Sequence, residues 1–207
     1  MSIDRESRFD LGVGPEDVLG FWFGPPGAAP LANASKWYSK SELFDREVRD
    51  RFQGALEIAI RGALDNWRST PRGRLALVIL LDQLSRNMFR GTPRSFSQDA
   101  RACEVTLEAI GLGDEQALDI VQRSFLYMPL EHAEDRELQR RCVEAFTRLV
   151  ADAPPELKSY TGNALDYAKR HAVIIERFGR FPHRNEILGR SSSAEEIEFL
   201  KQPNSSF

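Results

Sequence analysis

Apolar positions recur along the 207-residue chain at spacings of three and four, the period of one buried face of an α-helix. The first run opens at Gly14-Pro15-Glu16-Asp17, where proline suits the first helical position and the acids suit the N-terminal dipole. Val18, Leu19, Phe21, Trp22 and Phe23 follow, until Gly24-Pro25-Pro26-Gly27 stops the helix. A loop rich in Ala and Pro leads on to Trp37 and Tyr38. Ser39 or Ser41 caps a long second helix whose inner face carries Phe44, Val48, Phe52, Ala55 or Leu56, and Ala59. Thr70-Pro71 opens a third, holding Leu75 through Leu84. Ser97 caps a fourth, in which Ala100, Cys103, Leu107 and Ile110 share a face and Gly111 ends the run. A fifth covers Gln116 to Met128, and Pro129 forces a stop or a kink. Leu138, Cys142, Phe146 and Leu149 form the inner stripe of a sixth, closed by Pro154-Pro155. The seventh runs from about Thr161 to Phe178 and ends at Gly179. Finally Ser193-Ala194-Glu195-Glu196 is a capping box ahead of Ile197, Phe199 and Leu200.

No stretch alternates as a strand does. The expectation is an all-α fold, an antiparallel array of about eight or nine helices, since every connection but residues 24–40 is short. Its helix–turn–helix cadence resembles a degenerate helical-repeat array. Residues 1–13 are polar and aperiodic and read as a flexible N-terminal segment. Residues 14–202 read as a single helical domain, and 203–207 as a C-terminal tail.

Composition narrows the class. With 42% apolar and 29% charged residues, wholesale disorder is excluded. The longest clean apolar run, Leu75 to Leu81, falls far short of the ~20 residues that span a bilayer. Arg5 and Arg8 are followed by no apolar stretch, so no secretory signal is expected. The two cysteines, Cys103 and Cys142, sit in helical stretches and read as buried thiols of a reducing cytoplasm. A net charge of -3, a pI of about 5.7 and the lack of a recognisable motif argue against nucleic acid. No pattern of metal-ligand spacing, phosphate-binding loop or nucleophile elbow occurs. Neither a metal nor a cofactor is indicated, and the oligomeric state is open.

Three segments concentrate polar and aromatic groups. In the first, Leu80 to Gly91, Asp82 and Arg86 lie four apart, as do Gln83 and Asn87, so each pair shares a helical face. These residues tie a buried helix to its loop, or else Arg86 and Arg90 wall a cleft and grip a carboxylate or phosphate. The second segment, Phe125 to Asp135, surrounds His132 with Glu131, Glu134 and Asp135. A histidine there can be a metal ligand, a general acid–base or an ion-pair partner. Glu134 and Asp135 also suit the first turn of the next helix. The third segment, His171 to Asn185, presents Arg177, Arg180, His183 and Arg184 around Gly179 and Pro182, which sets up a turn into a short helix near Glu186 to Leu188. Arginines beside amide groups at a helix start suit an anion. His171 falls in the series Ala164, Tyr167, His171, Ile174 and Phe178, which points its imidazole into the core. Local charge fits the same picture. Between Arg68 and Arg101 seven arginines face two acids, and between Lys169 and Arg190 six bases face two acids. From Glu131 to Glu137 four acids face one arginine. Such stretches neutralise one another, or line one cleft with a surplus of positive charge.

Taken together the motifs resemble those of the bacterial domain of unknown function 924 family. They are LLDQ-x-x-RN-x-x-RG (Leu80 to Gly91), F-x-YMPL-x-H-x-ED (Phe125 to Asp135) and RFGRFPHRN (Arg177 to Asn185). The early FWF (Phe21 to Phe23), Trp37 and the closing S-x-EE-x-x-FL up to Leu200 add to them. The resemblance spans about Val18 to Leu200 and implies a tetratricopeptide-like, all-helical fold; it implies no activity. Leu84-Ser85 stands where Phe-Pro is expected, and Ala133 where Ser is expected, so no scheme can rest on a hydroxyl at position 133.

Three functions follow as expectations. The first is an Arg- and His-lined cleft binding an anionic small molecule or a peptide carboxylate. Its candidate ligands are Asp82, Arg86, Asn87, Arg90, Glu131, His132, Asp135, His171, Arg177, Arg180, His183, Arg184 and Asn185. The second is a hydrolase-type enzyme using His132 or His183 as acid–base with Glu131 or Asp135 as orienter or metal ligand. The third is a polar core network that fixes one helix layer on another.

Overall fold

Capping chemistry sets where the helices begin. The computed structural model describes residues 12–206, so the segment expected to be loose lies outside the described residues but for Gly12 and Val13. Ten α-helices follow in order: α1 (Pro15–Phe23), α2 (Ala34–Trp37), α3 (Glu42–Ile60), α4 (Pro71–Val78), α5 (Ser85–Met88), α6 (Asp99–Leu112), α7 (Ile120–His132), α8 (Arg136–Asp152), α9 (Lys158–Phe178) and α10 (Ala194–Leu200). A π-helical segment, Ile79–Leu84, joins α4 to α5 without a break, so residues 71–88 form one continuous rod. Counted that way, the described residues hold nine helices and no strand.

Ser41, not Ser39, caps α3, its Oγ accepting from Phe44 N–H at 3.3 Å. Thr70 caps α4 through Gly73 N–H at 3.1 Å, and Ser193 and Glu196 make the reciprocal box of α10. Short α2 occupies what reads as loop. It is held there by Trp37 Nε1, which donates to Trp22 O at 2.8 Å, and by Asn33 Nδ2, which donates to the Phe21 and Trp22 carbonyls. Those carbonyls belong to the last turn of α1, where no intrahelical donor remains.

Two departures from the sequence expectation position the site. The rod at residues 71–88 is buried on all sides from Gly73 to Ser85, as a central helix must be. The π segment lies in its most buried part. Pro129 does not stop α7, which continues to His132. Proline removes one donor and disturbs the preceding turn, and α6 side chains meet the carbonyls there. Thr106 Oγ1 donates to Leu126 O at 2.9 Å, and Cys103 Sγ to Pro129 O at 2.9 Å. Glu131 and His132 ride one helical turn further than the proline suggests. The other bounds differ by a few residues: α6 ends at Gly113, in the left-handed region at φ 75, and α9 starts at Lys158.

Helices α6 to α9 pack in sequence, with α7, α8 and α9 reversing over short connections at residues 133–135 and 153–157. Phe125 anchors the core, its ring 4.8 Å from Trp37, 5.4 Å from Phe23 and 5.6 Å from Trp22. No helix among the described residues is long and apolar enough to cross a membrane. Both cysteines are buried free thiols. In the tail, Ser205 is buried and its Oγ donates to Leu200 O.

The start of α4 contains the tightest backbone approach among the glycines. A Cβ on Gly73 would stand 2.0 Å from Trp67 O and 2.9 Å from the Trp67 carbonyl carbon. Backbone cannot rotate aside as a side chain can, so Gly73→Ala is expected to destabilise by roughly 2–3 kcal/mol. Thermal unfolding followed by circular dichroism checks it: a fall in Tm of roughly 4–12 °C is expected.

Candidate functional site

Residues from all three polar segments meet between the rod, α7, α9 and the turn after α9. Asp82, in the π segment, is 0% exposed. His132, on the last turn of α7, points Nδ1 at both of its carboxylate oxygens, at 2.8 and 3.0 Å. On the other side Arg86 Nη1 lies 2.9 Å from Asp82 Oδ1 and donates to the Asp82 carbonyl. Arg86 Nη2 lies 3.0 Å from both oxygens of Asp99, its hydrogen bond going to Oδ2. That oxygen also accepts from Arg184 Nη1 at 3.1 Å. The result is one ladder, His132–Asp82–Arg86–Asp99–Arg184, in which acids and guanidinium groups alternate beyond the imidazole, across three segments and α6.

Aromatic and imidazole rings frame the ladder. The His132 and His171 ring centroids are 6.3 Å apart, Phe181 lies 5.4 Å from His171, and His183 lies 5.7 Å from Phe181. His171 Nδ1 is 2.9 Å from Tyr167 O and 3.5 Å from Glu131 Oε1. A carbonyl only accepts, so His171 Nδ1 carries the proton. By the same reasoning a charged Asp82 fixes the proton of His132 on Nδ1 and leaves the lone pair on Nε2.

Electrostatics sort these groups into roles. Burial works against a charge on Asp82, but Arg86 and His132 hold its carboxyl below the ordinary range. Burial, reinforced by Arg86, lowers His132 although Asp82 opposes it, so its imidazole is neutral at neutral pH. Burial pushes Glu131 up to about 8, helped by the charge of Asp82. Two neighbouring carboxyls therefore differ in state, one ionised and one protonated, which is the division of labour that acid–base sites show. Burial also takes His171 down to about 3, His183 to about 4 and Arg184 to about 10, and it raises Asp99 despite two guanidinium neighbours. Among the described residues no three His, Cys, Asp or Glu side chains converge with the spacing that holds a metal ion.

Other sequence candidates serve the scaffold. Arg90 makes a two-pronged bond to Asp45 of α3, and Asn87 Nδ2 donates to the same carboxylate at 2.8 Å. Gln83 does not pair with Asn87; its amide donates to Asp82 Oδ2. Asp135 caps α8 through Leu138 N–H. Arg177 pairs with exposed Glu195, and Arg180 grips Glu196, taking that carboxyl down to about 2. Asn185 donates to Ser192 and accepts from Arg190, whose guanidinium also holds Glu134. The turn after Gly179 is a short 3-10 segment at Pro182–Arg184, ahead of the place where a short helix was expected. Tyr167, placed by periodicity on the inner face of α9, is 49% exposed. Most of the positive charge counted along the sequence is met by the protein's own acids.

Asp99 is the site residue that sequence reasoning passes over. It opens α6, thirteen residues beyond Arg86 and eighty-five before Arg184, and no spacing rule links such distances. Phe96, whose ring faces both Arg86 and Arg184, is missed for the same reason. The only trace of Asp99 in the sequence is that it is one of just two acids in an arginine-rich stretch.

A family model described as bacterial protein of unknown function (DUF924) matches residues 18–204. The chain is also similar to a solved protein of unknown function from Agrobacterium tumefaciens, at 37% identity and a TM-score of 0.76. That likeness covers 90% of this chain and 96% of the other. No curated protein matches the chain.

Proposed function

The chain belongs to the DUF924 family of bacterial proteins of unknown function, and on that premise we propose that Asp82 and His132 form a general acid–base pair for hydrolysis of a small-molecule substrate. One observation carries this. A fully buried carboxylate holds Nδ1 of an imidazole whose side chain keeps 13% of its surface open. A structural histidine needs no ionised partner beneath it and no open edge above. Here Asp82 fixes the tautomer, Arg86 keeps Asp82 ionised, and Nε2 is the free base. In the proposed step Nε2 takes a proton from an attacking water as its oxygen bonds to the electrophilic centre. Asp82 steadies the imidazolium so formed, which then gives that proton to the departing oxygen.

The neutral His132 at neutral pH favours base over acid in the first half of the step. Protonated Glu131 next to it favours a site able to hold both states. The successive helical hairpins of α7 to α9 support a tetratricopeptide-like scaffold beneath the site, and the two free buried thiols support a reducing cytoplasmic setting. The test is turnover of a panel of carboxylic and phosphoric esters by the wild-type protein and by His132→Gln. A loss of about a hundredfold or more in the variant is the expected result. Equal rates in both proteins would contradict it.

A further inference from the structure

Among the described residues four arginines engage both oxygens of a carboxylate in the same way, through the side-on edge formed by Nε and Nη2. Arg72 does so with Glu16 at 2.8 and 2.5 Å, and Arg74 with Asp114 at 2.5 and 2.9 Å. Arg90 does so with Asp45 at 2.7 and 2.9 Å, and Arg180 with Glu196 at 2.7 and 2.8 Å. The fork suits the planar oxyanion, which is why the pairing recurs.

Arg184 departs from this pattern. It is 6% exposed, yet its hydrogen bond to Asp99 comes from Nη1, and its buried Nε has no hydrogen-bond partner. A buried guanidinium donor left without an acceptor is costly, and native interiors keep such groups where something else completes them. Asp99 does not meet it: the hydrogen bonds from Arg86 and Arg184 both fall on Oδ2, and its buried Oδ1 makes none. Two aromatic rings also crowd the guanidinium. Phe96 and Phe181 stand on it with ring centroids 4.6 Å from Cζ in each case.

We infer that the Nε–Nη2 edge of Arg184 receives one oxyanion group, carboxylate or phosphoryl, of the molecule on which His132 acts. The word substrate here rests on the acid–base reading of Asp82 and His132; the anion site itself does not. Through Asp99, Arg86 and Asp82 the cation is tied to the imidazole by one continuous run of contacts. The ladder's two acids and two guanidinium groups cancel, so selection of the guest comes from hydrogen-bond geometry and not from surplus charge.

The experiment follows the Nε–H resonance of Arg184 by NMR during separate titrations with inorganic phosphate and with acetate. A saturable shift of that resonance is expected with at least one of them, and which anion saturates identifies the group. Arg184→Lys keeps the charge but loses the fork. Followed by the backbone amide resonances of residues 183–185, which every variant retains, it should bind the same anion about tenfold more weakly or worse, with helicity retained. Arg184→Gln, checked for helicity alongside it, should abolish binding. His132→Gln should bind the anion as the wild type does, so failure of the acid–base reading would leave this result intact. No saturable shift with either anion, or equal affinity in Arg184→Lys, would overturn the inference.

Discussion

Asp82→Asn is expected to lower stability by about 3–5 kcal/mol, the usual cost of removing one partner from a buried ion pair. For a chain of this size that is a fall in Tm of roughly 6–20 °C. The carboxylate is 0% exposed, so no solvent replaces what the substitution removes. Of its two carboxylates Arg86 then keeps only Asp99, which it already shares with Arg184. His132 retains an acceptor, since an amide oxygen can still take the Nδ1 proton, but it loses the negative charge that supports its protonated form. Its pKa should therefore fall further below 6.5. The comparison is Glu195→Ala, which breaks an ion pair with Arg177 whose side chains are 45% and 63% exposed. That change should shift stability by no more than about 1 kcal/mol. Thermal and urea unfolding of both variants decide the matter; an Asp82→Asn protein melting within about 1 °C of wild type would refute the burial argument.

Stability is expected to peak near pH 6.5 and to fall on both sides, for different reasons. On the acid side, burial takes His171 from 6.5 to about 3 and His183 to about 4. Below pH 6.5 the unfolded chain takes up protons that the folded imidazoles refuse, so stability is lost as pH falls towards those folded values. His171 faces Tyr167 O, Glu131, His132, His183 and Arg184, and only the carbonyl favours its charged form. Its contribution is on the order of 5 kcal/mol. On the alkaline side, Glu131 rises from 4.5 to about 8. Above 4.5 the unfolded carboxyl releases a proton that the folded one keeps, so stability is lost as pH rises to about 8. Between 4.5 and 6.5 the two imidazoles outweigh the one carboxyl. The lowered carboxyls of Asp45, Asp82, Glu134 and Glu196 add a further loss at more acid pH. Urea unfolding across the pH range should show the maximum, and Glu131→Gln should flatten the decline between pH 6.5 and 8 and steepen the acid limb between 4.5 and 6.5. A profile that is flat from pH 5 to 8 would disprove this assignment.

The parts of the molecule legible in the sequence were those governed by short-range rules. Ser41 and Ser193 are caps because a hydroxyl ahead of a helix meets an amide three residues on, and Gly179 ends α9 at φ 68 as its type suggests. The core face of α8 follows from the period of Leu138, Cys142, Phe146 and Leu149. His171 is buried as its register predicts. Pro129 shows where local rules fail. It takes the donor from the Phe125 carbonyl, yet α7 runs on to His132, packed against α6, whose Thr106 and Cys103 donate to the Leu126 and Pro129 carbonyls. The π segment was hidden because a rod buried on every side has no polar face to betray a change of pitch.

The site was legible as three segments but not as a geometry. Asp82, Arg86, Glu131, His132, His171, His183 and Arg184 do gather. Asn87, Arg90, Asp135, Arg177, Arg180 and Asn185 carry equally suggestive side chains and instead tie helices together. What separates the groups is where acids such as Asp45, Asp99, Glu195 and Glu196 come to lie, and that is fixed by tertiary packing rather than by spacing. The exposed pair Arg177–Glu195 and the buried ladder of Asp82 look alike in one dimension.

The central claim concerns one proton. Imidazole nitrogen NMR of His132 in the wild-type protein, with His132→Gln for assignment, reads it directly. Nδ1 should carry the proton at neutral pH, Nε2 should show the shift of an unprotonated nitrogen, and the ring should titrate below pH 6.5. A proton on Nε2 at neutral pH, or a ring that never titrates while the protein is folded, would contradict the account.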